Sequence, residues 1–89
     1  MNKHILTVQG YLLYPENYTK EQLKENYYTA TSALAANSDY VAAYFARDVA
    51  YAALNADADY AIEYRLNKYF SKTGENRQDY IDAVNKENK

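Results

Sequence analysis

Along the middle of the chain, hydrophobic positions recur every three or four residues, a spacing that gathers them on one side of a helix turning about 100° per residue. The pattern is densest from Ser38 to Phe70. Val41, Phe45, Val49 and Ala52, flanked by Ala42 and Ala53, form one apolar stripe, and Ala58, Ile62, Leu66, Tyr69 and Phe70 form a second. Continued through Asn55-Ala56-Asp57, the first stripe arrives roughly 100° out of phase with the second. The spacing therefore predicts two helices with a short reversal between them. Asn55 is expected to close the first in a left-handed conformation, and Asp57 to accept from the free amides that begin the next.

The flanks carry their own signals. Thr19-Lys20-Glu21-Gln22 reads as a capping box, Thr19 accepting from a first-turn amide while Gln22 reaches back. Leu23, Tyr27, Ala30 and Leu34 then line one side of the helix that it opens. That helix should stop at Asn37-Ser38, with Ser38 capping its successor. Beyond Phe70, Lys72-Thr73-Gly74 places a cation in a last turn and a glycine just past it. Tyr80, Ile81 and Val84 mark a short final helix.

Residues His4 to Tyr14 suggest something else. Ile5, Leu6 and Val8, followed across Gln9-Gly10 by Tyr11 to Tyr14, read as a small hairpin or an extended arm ending at Pro15. The expected fold is a single, mainly all-α domain over residues 1–89. It has an N-terminal arm and loop over 1–18 and helices over 19–37, 38–55, 57–73 and 76–87. Short connections join these into a small antiparallel bundle of three to four helices.

Composition changes the picture in one respect. Leu, Ile, Val and Phe supply only sixteen of the 89 residues, whereas tyrosine alone supplies twelve, so tyrosine and alanine must do much of the packing. The net charge of -2 is spread over interspersed acids and bases, which offers no basic stripe for nucleic acid. Without cysteine there is neither a disulfide framework nor a thiolate metal site. No run is long enough to span a membrane, and the first ten residues lack the apolar core of a signal peptide. A cytoplasmic location is the expectation.

Groups suited to catalysis are scarce. His4 is the single histidine, and Gly10 and Gly74 are the only glycines, too few for a phosphate-cradling loop. Asn55-Ala56-Asp57-Ala58-Asp59 begins like a calcium-binding loop, but Tyr60 stands where glycine is required and Leu66 where a bidentate glutamate is required. Asp79 and Asp82 share a face without a third ligand. Asn17-Tyr18-Thr19 matches a glycosylation sequon, which has meaning only in a secreted chain. Asp-Tyr recurs at 39–40, 59–60 and 79–80, a period of one helix plus one turn that acids favoured in first turns explain. No enzymatic activity, metal or cofactor is expected.

What remains is tyrosine with arginine. Tyr40, Tyr44, Arg47 and Tyr51 lie opposite the first apolar stripe, and Tyr60 and Tyr64 opposite the second. Tyr and Arg dominate binding hot spots, although a helix covered on both sides would use the same residues as a second core. The expected function is a non-enzymatic protein-binding module, an inhibitor or adaptor docking through these six residues. In size and lack of an active site the chain resembles the small accessory proteins that phages and mobile elements use against host or defence complexes. The alternative partner is a second copy of the chain, in a homo-oligomer that is structural or, in a variant of the same reading, sequesters a small aromatic or nucleotide-like ligand through Arg47 or Arg65. Single-stranded nucleic acid stacked on tyrosine is disfavoured by the lack of an electrostatic funnel.

Overall fold

Small side chains set the packing of this chain. The computed structural model describes residues 1–36 and 39–88, and these hold five α-helices. They are α1 (Lys3–Leu13), α2 (Lys20–Ala36), α3 (Tyr40–Leu54), α4 (Asp59–Thr73) and α5 (Arg77–Glu87), with a 3-10 turn at Pro15–Asn17 between the first two. Central α3 packs against α1, α2 and α4, while α5 closes onto α1. The buried positions of α3 are Ala43, Ala46, Val49, Ala50, Ala52 and Ala53, an arc of roughly half its circumference. All but Val49 are methyl side chains, so three neighbours can approach it closely.

This arc corrects the expected stripe on Val41, Phe45, Val49 and Ala52 by roughly a quarter turn. Val41 is 48% exposed and Phe45 is only half-buried. Hydropathy orients a helix by its largest apolar residues, whereas a helix with three close neighbours is oriented by its smallest. In α4 the expected face is the observed one: Ile62, Leu66, Tyr69 and Phe70 are buried with Ile5, Val8, Leu23, Val49 and Tyr80. Ala58 is the exception, an exposed N-cap that makes no side-chain bond.

The N-terminal segment overturns its expectation outright. Instead of an arm or hairpin it is helix α1, and no strand occurs among the described residues. Asn2 caps it, Oδ1 accepting from the amides of His4 at 2.9 Å and Ile5 at 3.3 Å. Gly10, read as a turn, sits buried within the helix. Its missing side chain leaves room for Tyr18, whose phenol oxygen would stand 1.9 Å from a Cβ at that position.

The other caps divide between expected and corrected. Thr19 and Gln22 form the capping box, the Thr19 amide donating to Gln22 Oε1 at 2.7 Å and the Gln22 amide to Thr19 Oγ1 at 3.1 Å. Gly74, at φ 76, ends α4. The predicted cap at Ser38 and the stop at Asn37-Ser38 lie outside the described residues; Asp39 accepts from the Ala42 amide at 3.2 Å. At the reversal Asn55 is not left-handed, with φ -77, and Ala56 is, with φ 54. The Asp57 amide donates to the Ala52 carbonyl and the Ala56 amide to that of Ala53, each at 3.1 Å, the paired bonds of a Schellman ending. Asp57 therefore helps to close α3 and does not cap α4.

An alanine held left-handed carries a backbone cost of about 1 kcal/mol that glycine avoids. Ala56→Gly is accordingly expected to raise unfolding stability by about 0.5–1 kcal/mol, seen as a higher urea midpoint at unchanged m-value. An unchanged or lower midpoint would show that the turn is not held in this conformation.

Candidate interaction face

Two adjoining depressions open on the outer side of α3 and α4. The first, about 290 Å³, is lined by Tyr27, Tyr44, Arg47, Asp48 and Tyr51. The second, about 580 Å³, is lined by Asp48, Tyr60, Ala61, Tyr64, Arg65 and Lys68. Asp48 belongs to both and is paired with Arg65, which ties α3 to α4 at the boundary. Of the six residues singled out from sequence, Tyr44, Arg47, Tyr51, Tyr60 and Tyr64 thus line adjoining depressions. Tyr40 lines neither but stacks on Tyr44, with ring centroids 6.2 Å apart and planes 26° from parallel.

Helix phase explains this placement. Tyr40, Tyr44 and Tyr51 fall within a narrow sector of α3, opposite the alanine arc, and Tyr60 and Tyr64 are one turn apart on α4. They are correspondingly open: Tyr60 is 80% exposed, Tyr64 67% and Tyr40 61%, with Tyr44 and Tyr51 near half. The hydroxyls of Tyr40, Tyr44, Tyr60 and Tyr64 make no hydrogen bond to another described residue.

Arg47 is not a free surface cation. Nε donates to Thr31 Oγ1 at 3.2 Å and Nη2 to Tyr27 Oη at 3.1 Å, while the guanidinium carbon lies 5.6 Å from the Tyr27 ring centroid. These contacts clamp α3 onto α2 and fix the side chain in the depression. Sequence reasoning placed Tyr27 on the core stripe of its helix and missed it here; it is half-buried, with its ring 5.3 Å from that of Tyr51. Lys68 was missed as well. Lys68 lies 5.6 Å from the Tyr64 ring centroid, an i, i+4 pair that the sequence does contain.

Elsewhere the polar groups hold the fold together. His4 Nδ1 is 3.1 Å from Asn26 Oδ1, and Asn26 Nδ2 donates to the His4 carbonyl at 3.2 Å, joining α1 to α2. Burial pushes the His4 imidazole below its ordinary pKa, outweighing the opposing effect of its hydrogen bond with Asn26. Glu75 accepts from the hydroxyls of Tyr69, at 3.0 Å, and Tyr80, and the Asn2 amide donates to Tyr80 Oη at 2.8 Å. Burial pushes both phenols up. No cluster of three potential metal ligands occurs among the described residues, and no helix among them is long and apolar enough to cross a membrane.

Comparison with protein-family models, with curated proteins and with solved structures returns no match.

Proposed function

We propose that this chain is a non-enzymatic protein-binding module that docks through Tyr40, Tyr44, Arg47, Tyr51, Tyr60 and Tyr64. The observation that carries the reading is the contrast between two kinds of tyrosine. Tyr69 and Tyr80 are buried and end on Glu75, whereas Tyr40, Tyr60 and Tyr64 present most of their rings to solvent on one side of the molecule. A tyrosine ring carries a large apolar area and only two side-chain torsions, so a partner that covers it gains burial at small entropic cost. The helices beneath are already fixed by the Arg47 clamp and the Asp48–Arg65 pair, which reduces the ordering that docking requires. An inhibitor or adaptor acting in the cytoplasm, of the kind that phages and mobile elements encode, fits a small rigid module with one docking face.

Self-association is the second reading, favoured by exposed Val41 beside the tyrosines on α3. Both readings are tested with Tyr60→Ala/Tyr64→Ala, whose positions are exposed enough to leave the fold intact. The wild-type chain is expected to retain a discrete partner from its native host that the variant loses at unchanged helical circular dichroism. Equal retention by both would overturn docking through this face. If light scattering near 50 μM, a concentration suited to weak interfaces of roughly micromolar affinity, shows a wild-type dimer and a folded monomeric variant, the partner is a second copy.

A further inference from the structure

Resting on the docking reading above, we propose that the Arg47 depression receives a carboxylate side chain from an acidic segment of the protein partner. Arg47 is half-buried, yet the two hydrogen bonds of its guanidinium go to neutral oxygens, Thr31 Oγ1 and Tyr27 Oη. Among the described residues no carboxylate lies within ion-pair distance of it, and its neighbour Asp48 is engaged by Arg65. Arginine carries five N–H donors in a planar fork. Nε and Nη2 each make one bond here, so the fork retains donor capacity for an anion.

The charge balance points the same way. Arg47, Arg65 and Lys68 against Asp48 give the lining of the two depressions a net charge of +2, whereas the whole chain has -2, so the remainder sums to -4. The lining of the two depressions is thus positive on a chain that is negative as a whole, a local balance that favours an acidic group there. Around Arg47 the rings of Tyr27, Tyr44 and Tyr51 exclude water from one side of a bound carboxylate, which strengthens a charge-assisted hydrogen bond. About 290 Å³ is room for one side chain. The adjoining depression, walled by Tyr60, Ala61 and Tyr64, suits an apolar residue beside it. A nucleic-acid strand is the poorer fit, because three cations with an acid among them do not track a phosphate backbone.

The test selects a random linear-peptide library against the full chain and measures the selected peptides by fluorescence anisotropy, with oligothymidine as a second probe. Selected peptides are expected to carry Asp or Glu beside an apolar residue. Exchanging that acid for its amide in the peptide should weaken binding about tenfold or more without altering the protein at all. Arg47→Met, which also removes the clamp on α2, should do the same when compared at a temperature where circular dichroism shows it folded, and Arg47→Lys should recover part of the loss. Selection of peptides without acids, indifference to the acid-to-amide exchange, failure to select any peptide, or binding of oligothymidine instead would each overturn the proposal. Neutral peptides that still depend on Tyr60 and Tyr64 would leave the docking face standing and remove only its preference for acids. Peptides indifferent to Tyr60→Ala/Tyr64→Ala would remove the docking face itself.

Discussion

Arg77→Met is expected to lower unfolding stability by about 2–3 kcal/mol and the melting temperature by roughly 10–20 °C. Arg77 sits at the start of α5 and grips two other helices. Its fork donates to Glu63 on α4, Nη1 to Oε2 at 2.5 Å and Nη2 to Oε1 at 2.7 Å, and Nε donates to Gln9 on α1 at 2.9 Å. Nη1 also reaches Asn67 Oδ1 at 3.2 Å. The ion pair contributes the smaller share, because the Glu63 side chain is 41% exposed and screened by water. The larger share comes from Gln9, only 1% exposed, whose amide oxygen would be left in the core without a donor. Arg77→Lys keeps the charge but not the fork, and should restore only part of the loss.

The same contact sets a pH dependence. Hydrogen bonding from Arg77 holds the Glu63 carboxyl below the ordinary carboxylate range, outweighing the opposing effect of its burial. The folded-state pKa is therefore depressed, so the stabilisation is present above the unfolded pKa and is lost as pH falls through the folded one. Thermal unfolding followed by circular dichroism should show Arg77→Met lacking that part of the wild-type acid sensitivity. A variant within about 0.5 kcal/mol of wild type at neutral pH would show that the network is not a support of the fold.

The second large effect is expected at Ala50, fully buried in the alanine arc of α3. Ala50→Leu adds three carbons where neighbouring helices press on α3, and should cost about 3 kcal/mol, the upper end for overpacking. For a chain whose total stability is on the order of 4–13 kcal/mol, that is enough to loosen the bundle. Val41→Ala is the matched comparison. The helical phase read from hydropathy makes Val41 a core residue whose truncation costs more than 1 kcal/mol. The observed phase leaves it half exposed, so the change should stay within about 0.5 kcal/mol. Urea unfolding of the two variants decides between the phases.

What the sequence revealed and what it hid follow from the range of the interactions. The Thr19–Gln22 capping box, Gly74 and the α4 stripe are local, each specified by residues within a turn or two of one another. Helix α1 was hidden because its odd residues answer to distant partners. Gly10 makes room for Tyr18, buried Gln9 is satisfied by Arg77 68 residues away, and buried His4 by Asn26 on α2. Polar residues on a buried face break the apolar period unless those partners are known.

The tyrosine face was half legible for the same reason. Spacing alone places Tyr40, Tyr44 and Tyr51 together on α3, and Tyr60 with Tyr64 on α4. Nothing within α3 announces that Arg47 is held by Tyr27 and Thr31, or that Asp48 meets Arg65 and so joins the two depressions. Both are cross-helix contacts that appear only once α2, α3 and α4 are packed.

Whether these rings serve recognition or the fold can be measured without any partner. Urea unfolding of Tyr40→Ala/Tyr60→Ala/Tyr64→Ala should lie within about 1 kcal/mol of wild type, as expected for substitutions at exposed positions. A loss of more than about 3 kcal/mol, comparable to opening a cavity in the core, would mean that the tyrosines are structural and that the docking face does not exist.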